Sequence, residues 1–577
     1  MILLRILLIS ALFINQIDLD PKDNKDNAVF ISPVKMPLSL SASFGELRID
    51  HFHSGLDIRT QGVTGKEVVA TAAGYVYRIS VSPGGFGKAL YLRHTSGYET
   101  VYGHLDRFIP EIEDYVVSGQ YENKSYMVTL WPPKDKFMFN QGDIIAFSGN
   151  TGSSSGPHLH YEIRKADEEL PVNPLTFGFG VTDDYRPVIE RLIIYPESNN
   201  TLINNHNKIL KFNVSGNNGH YSLNPGAEIT ISGSAGFGLQ AYDLVNNSNS
   251  KCSVYSIELR VDSLPVFSYL MDAFSFNESR YINSHIDYET YLKEDVYVER
   301  AFVLPNDKLS LYHNVKNRGI VSFNDDKRHH IEIITADVSN NKSILSFYAR
   351  STVPVKQAVG DKTNSNNSAI MPFNRTNRLV SGNVIVSIPS GALYDTLRFE
   401  FSRIPCKSNM CSDIYNIHNR YTPVHKPYTL SIKPDSIPSG KESKLLIIQL
   451  SEEMKKIPLP SWWANGYLNA NPSVFGTFFV GIDTVPPQIS LNGFAQGANM
   501  SGRTEIRIKI NDDLSGIKSY DPQIDGKWAL FEYDQKNNLL VYRFDEKRIM
   551  KGMKHDFVLH VTDNCGNVSK IDRQFIW

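Results

Sequence analysis

Polar and apolar side chains alternate without a break from Gly156 to Arg164, in the run Gly-Pro-His-Leu-His-Tyr-Glu-Ile-Arg. A period of two marks a half-buried strand, so the pattern puts His158, His160 and Glu162 on one face and Leu159, Tyr161 and Ile163 on the other. At a rise of about 3.3 Å per residue, the two imidazoles stand roughly 6.5–7 Å apart along the backbone. Upstream, Glu99-Thr100-Val101-Tyr102 alternates in the same way and ends on Gly103 and His104. His53 and Asp57 are four apart, yet Gly55 between them and the β-branched Ile58 and Thr60 after them predict a loop entering a strand, not a helix. Gly84-Gly85-Phe86-Gly87 has strand-like flanks and no Lys-Ser/Thr at phosphate-loop spacing, which predicts a hairpin turn.

Beyond Asn173-Pro174-Leu175, alternating runs separated by Asn, Gly, Ser and Pro dominate and helix-length patterns are few, so the whole chain is expected to be all-β. A weak repeat recurs at Asp243 with Asn247, Asp337 with Asn341 and Asp563 with Asn567, each after an alternating run. Asp and Asn at these offsets suit hairpin turns in which side-chain oxygens accept from nearby backbone amides, with calcium ligation as the rival reading. Proline-marked junctions at Tyr185-Arg186-Pro187, Thr352-Val353-Pro354 and Asp483-Thr484-Val485-Pro486-Pro487 divide this material. At 577 residues the chain exceeds one core,. The expected organisation is a segment 1–16 resembling a secretory signal, a compact β-sheet domain over 29–180 with a long loop at 106–140, and three β-sandwich modules. These modules span 185–350, 351–482 and 483–577, and resemble immunoglobulin-like sandwiches, the middle one least.

Composition narrows the function classes. A net charge of −2 with mixed signs gives no basic field for nucleic acid,. Four cysteines do not make a disulfide scaffold, although Cys406 and Cys411 are near enough in sequence to bridge, and Cys252 and Cys565 are expected to be unpaired,. The apolar run at the N-terminus is too short to span a bilayer comfortably, and no later segment is apolar enough, so export without a transmembrane segment is expected.

One nitrogen from His53, one oxygen from Asp57 and one nitrogen from His160 make three protein ligands, the number catalytic zinc uses while water takes the fourth place. His104 and His158 remain to handle protons, and Glu162, on the ligand face, is placed to orient an imidazole. His51 and His94 are expected in supporting or surface roles, and the ten histidines from His206 onward carry no assigned function.

The His53-x-x-x-Asp57 spacing, Tyr102-Gly103-His104-Leu105 and Gly156-Pro157-His158-Leu159-His160 resemble, in order, the pattern of lysostaphin- and LytM-like zinc endopeptidases. The resemblance covers about residues 40–178, including the glycines around Gly74, Gly84–Gly87 and Gly142–Gly152. It implies His53, Asp57 and His160 as ligands of one Zn2+ per chain and His104 and His158 as catalytic histidines. It also implies a metalloendopeptidase acting on peptidoglycan stem peptides in the periplasm or cell envelope, with envelope protein or glycan contacts possible through the β modules. The rival readings are a secreted protease of glycine-rich proteins and a non-catalytic envelope-binding protein.

Overall fold

The computed structural model describes residues 29–179, 181–223, 229–246, 248–353, 368–405, 411–491 and 493–577. The signal-like segment 1–16, Asn247, Pro354 and Cys406, and with Cys406 the bridge to Cys411, lie outside the described residues. Cys252 and Cys565 are free and buried, and Cys411 is buried. The described chain is nearly all β. No helix among the described residues is long and apolar enough to cross a membrane.

The N-terminal block is an eleven-stranded antiparallel sheet. Its spine runs Leu40–Ala42, Leu56–Arg59, His158–Lys165, Tyr98–Phe108, Lys88–His94, Gly74–Val81 and Met138–Phe139. The alternation at His158–Lys165 does what its period dictates: Leu159, Tyr161 and Ile163 are fully buried in the apolar core with Leu90, Leu92 and Tyr102, while His158 and His160 face the other side. Strands Gly74–Val81 and Lys88–His94 pair antiparallel, so the glycine-rich stretch between them is a hairpin connection.

The expected long loop at 106–140 is instead a built element. Helix Pro110–Asn123 starts with proline in its first turn and Glu111 and Glu113 near its positive end,. It buries Ile112, Val116, Gly119 and Gln120, a stripe at helical spacing,. Strands Val128–Leu130 and Met138–Phe139 then pair with Gly74–Val81. With two aliphatic residues per two turns, the stripe is too sparse to stand out from the sequence.

Three further β blocks follow. Residues 188–351 form a thirteen-stranded sheet in which Ile229–Leu244 and Lys342–Ser351 pair parallel. Residues 368–482 form sheets of six and five strands, and residues 488–576 sheets of four and five. The last two blocks have their own apolar cores. The first two share one, joined where Phe44 and Phe52 pack on Phe274 and where Ser253 and Ser279 accept the backbone N–H groups of Leu47 and Phe52. The repeated Asp-Asn turns form as the offsets predict at the two places where both residues are described. Asn341 donates its backbone and side-chain N–H groups to Asp337, and Asn567 does the same to Asp563.

Candidate metal centre

Antiparallel pairing places His160 between Asp57 and Gly103 on the neighbouring strands. Gly103 leaves the room this needs, since a Cβ there would stand 3.3 Å from the His160 Cβ and 3.4 Å from Phe86. At the next residue the strand bulges: Lys88 faces Leu105 and Leu90 faces Tyr102, so Gly103 and His104 stand opposite a single residue. His104 takes a φ of 58°, a costly left-handed conformation for a side-chain-bearing residue, and the bulge turns its ring toward His158,. The ring centroids of His104 and His158 are 4.7 Å apart.

The three expected ligands converge. His53 Nε2 lies 3.1 Å from Asp57 Oδ1 and 3.1 Å from His160 Nδ1, and His160 Nδ1 lies 2.9 Å from Asp57 Oδ1. All three side chains are buried. Their outer contacts fix which atom faces inward. His53 donates Nδ1–H to the Ser43 carbonyl at 2.7 Å, and His160 donates Nε2–H to Glu162 Oε1 at 2.9 Å. His53 Nε2, His160 Nδ1 and an Asp57 carboxylate oxygen thereby meet at one point, a donor set that suits a divalent metal,. The other Asp57 oxygen accepts from Arg48 at 2.8 Å.

The two remaining histidines flank this triad. His158 donates Nδ1–H to the Gly156 carbonyl at 2.9 Å, with Ser154 Oγ at 3.2 Å, and its Nε2 lies 3.5 Å from Asp57 Oδ1. His104 donates Nδ1–H to the Thr151 carbonyl at 2.9 Å. In both rings Nδ1 is engaged by a backbone carbonyl, which leaves Nε2 as the nitrogen available to the centre. Burial, reinforced by the charges of His160 and His158, pushes the His104 pKa down to about 3. Burial also opposes charge on His160, but hydrogen bonds to Asp57 and Glu162 outweigh it and raise its pKa to about 9. Asp57 is held far below the usual carboxylate range, because the charge of His53 and hydrogen bonds from His158 and His160 overcome the burial that works the other way.

Among the supporting residues, Glu162 has the orienting place expected of it, while His51 is exposed and bonds only its neighbour Ile49. His94 has neither a supporting nor a surface role. It is buried in the sheet, with the Ala73 carbonyl at 3.0 Å and Thr100 Oγ1 at 2.8 Å. The sequence reading missed Ser43, Arg48, Phe86, Thr151 and Ser154. Phe86 stacks on His160 with centroids 4.7 Å apart, and its carbonyl accepts the His104 backbone N–H at 2.8 Å. Signals existed for two of these: Phe86 and Thr151 sit beside Gly87 and Gly152, whose backbones approach so closely that a Cβ on Gly152 would lie 2.3 Å from Gly87 N. Arg48 and Ser43 carry no local mark.

The last β block reaches the rim of this site. Lys536 donates to the carbonyls of Asn150 and Ser154, the latter at 2.8 Å, on the loop that supports His104 and His158. Beneath it, buried Lys88 lies 3.4 Å from Glu113 and 3.5 Å from Glu532, and Tyr121 of the 110–123 helix meets Trp528 edge-on. That helix leans on the C-terminal block.

Fold and donor set together define a β-sheet domain in which three side chains could hold a metal ion. Residues 51–121 match the model of Peptidase family M23, and the chain carries a domain of that family. Residues 368–483 match the Zu5-like domain model. An uncharacterized metalloprotease of Haemophilus influenzae is 37% identical over 124 residues, which is 22% of this chain and 20% of that protein. The DD-carboxypeptidase/endopeptidase Mpg of Neisseria meningitidis serogroup B is 35% identical over 124 residues, 22% of each. The chain thus spans about a fifth of the length of these curated relatives. Among solved structures, a zinc containing peptidase from Vibrio cholerae is 26% identical, covering 25% of this chain and 39% of that one at a TM-score of 0.19.

Proposed function

We propose that this chain is a zinc metalloendopeptidase that hydrolyses peptide bonds in the cross-links of bacterial peptidoglycan, working outside the cytoplasm. The observation that carries the reading is the convergence of His53 Nε2, Asp57 Oδ1 and His160 Nδ1 within 3.1 Å of one another, flanked by two histidines whose Nδ1 atoms are held by backbone carbonyls. The DD-carboxypeptidase/endopeptidase name of a relative with the same core supports the substrate class.

His53, Asp57 and His160 would hold one zinc ion. When bound, zinc polarises the scissile carbonyl and makes water a nucleophile at neutral pH. The protein's own groups do the rest. His158 Nε2, facing Asp57, takes the proton of the attacking water and passes it to the leaving amine, work that typically contributes roughly 10²–10⁴-fold. His104, kept neutral by burial, accepts a hydrogen bond from the same water and orients it. The carbonyls of Gly156 and Thr151 hold the two rings in the tautomer this requires.

The test is incubation of the zinc-loaded full chain with purified sacculi and mass analysis of the released muropeptides. Soluble fragments carrying newly opened stem peptides are expected. Full zinc content with intact cross-links would overturn the assignment.

A further inference from the structure

Asp183, Asp243 and Asp337 come together far apart in sequence and away from the histidine site. Asp183 stands on the segment that leaves the N-terminal sheet, Asp243 near the end of strand Ile229–Leu244, and Asp337 just after strand Arg328–Ala336. One carboxylate oxygen from each lies within 4.8 Å of the others. They border a cavity of about 70 Å³ that Ser43 also lines. That is room for an ion with a water or two, given a share of about 30 Å³ per water in the liquid.

Acidic clusters are common, and the molecule supplies its own comparison. Asp483, Asp512 and Asp563 form a second triad at the matching place in the last block. There, hydrogen-bond donors compensate the charge. Asp483 accepts from Val485 N and Ser515 N, Asp512 from Leu514 N and Gly516 N, and Asp563 from the two donors of Asn567. In the first triad, Asp183 accepts from Tyr185 N, Asp337 from Asn341, Ser339 and Asn340, and Asp243 from the Leu244 backbone, but the Oδ1 of Asp243 is buried with no hydrogen-bond partner. Asp243 is only 5% exposed. Ser43 Oγ, in the same cavity, is buried and unpartnered too. A buried carboxylate oxygen without a partner costs far more than a neutral polar group, and its neighbours here add like charge. Burial, with the charges of Asp183 and Asp337, pushes the Asp243 pKa up to about 8.

We propose that Asp183, Asp243 and Asp337 bind a hard divalent cation, calcium, at the joint between the first two β blocks. The donors are all oxygen, which disfavours zinc or copper, and carboxylates of irregular arrangement suit calcium, whereas magnesium demands a near-ideal octahedron and keeps several waters. A bound ion would tie the linker to the second block. It would do so beside Ser43, whose carbonyl anchors His53. The proposal stands apart from the peptidase reading.

The experiment uses the full chain, stripped of metals on a chelating resin and reloaded with one equivalent of zinc, and measures calcium uptake by equilibrium dialysis and the thermal midpoint with and without calcium chloride. One calcium bound per chain and a raised midpoint are expected. Asp243→Asn should weaken uptake at least ~10-fold, a loss of about 1.4 kcal/mol. Because the ion-free Asp243 carboxyl is held largely neutral near pH 7, the neutral, similarly sized Asn should unfold no earlier than the parent in calcium-free buffer, which separates lost binding from lost folding. Asp512→Asn, in the compensated triad, should leave uptake unchanged. The proposal is overturned if neither calcium nor magnesium binds at millimolar concentration, if magnesium binds more tightly than calcium, or if uptake survives both Asp243→Asn and Asp337→Asn.

Discussion

His160 donates Nε2–H to Glu162 Oε1 at 2.9 Å although the two residues are only two positions apart on one strand. The bond fixes the tautomer that turns His160 Nδ1 toward Asp57 and His53. Glu162 is itself held ionised: burial opposes its charge, but Arg164 and the bonds from His160 and Ser54 outweigh it and lower its pKa to about 2. Glu162→Gln should keep the fold and weaken zinc binding about 10-fold, the low end for loss of a carboxylate behind a metal-bound histidine. Competition against a chromophoric chelator measures it, and unchanged affinity would contradict the role.

His160→Ala and His104→Ala should part company. The first removes a donor atom from the triad, so zinc content and hydrolysis should vanish together. The second leaves all three donors in place, so zinc should stay at one per chain while turnover falls by roughly 10²–10⁴-fold. Metal analysis beside a sacculus-hydrolysis assay distinguishes them. A His104→Ala enzyme of parental rate would remove that histidine from the mechanism.

How much of this was legible from the sequence follows from the range of the interactions involved. The face shared by His158, His160 and Glu162 is a local consequence of strand period, so alternation alone revealed it. The partnership of Asp57 with His160 depends on strand pairing, and only the ordered motif pattern gave it away. The orientation of His104 depends on a bulge that no residue pattern marks, and His94, expected in a supporting or surface role, is buried in the sheet. The helix at 110–123 was read as loop because its buried stripe has only Ile112 and Val116 as aliphatic anchors. Contacts such as Lys536 with Ser154, 382 positions apart, leave no trace in either segment.

That last contact predicts a remote effect on catalysis. Lys536 holds two carbonyls of the loop whose Thr151 and Ser154 contact His104 and His158. Charge-assisted bonds of this kind are stronger than neutral ones. Lys536→Met keeps the apolar stem and removes the donor, so zinc should remain bound while kcat falls roughly tenfold, about 1.4 kcal/mol of lost positioning. Steady-state rates with parallel zinc analysis test this. An unaltered kcat would show that the loop holds its shape unaided.

Acid should loosen the joint between the second and third β blocks. There His425 stacks on Tyr281 at 4.1 Å between centroids, and Arg280 donates to the carbonyls of Val424 and Ser473. Burial first, then the positive charges of Lys426, Arg280 and Lys308, lower the His425 pKa from 6.5 to about 4. The unfolded chain therefore takes up this proton at a higher pH than the folded one. Stability should be full above about pH 6.5 and decline as pH falls toward 4, because the unfolded state binds more protons throughout that window,. His425→Phe keeps a ring against Tyr281 and removes the titration, so its thermal midpoint should fall less than the parent's between pH 7 and about 4.5. Parallel curves for the two proteins would exclude His425 as the source of the acid sensitivity.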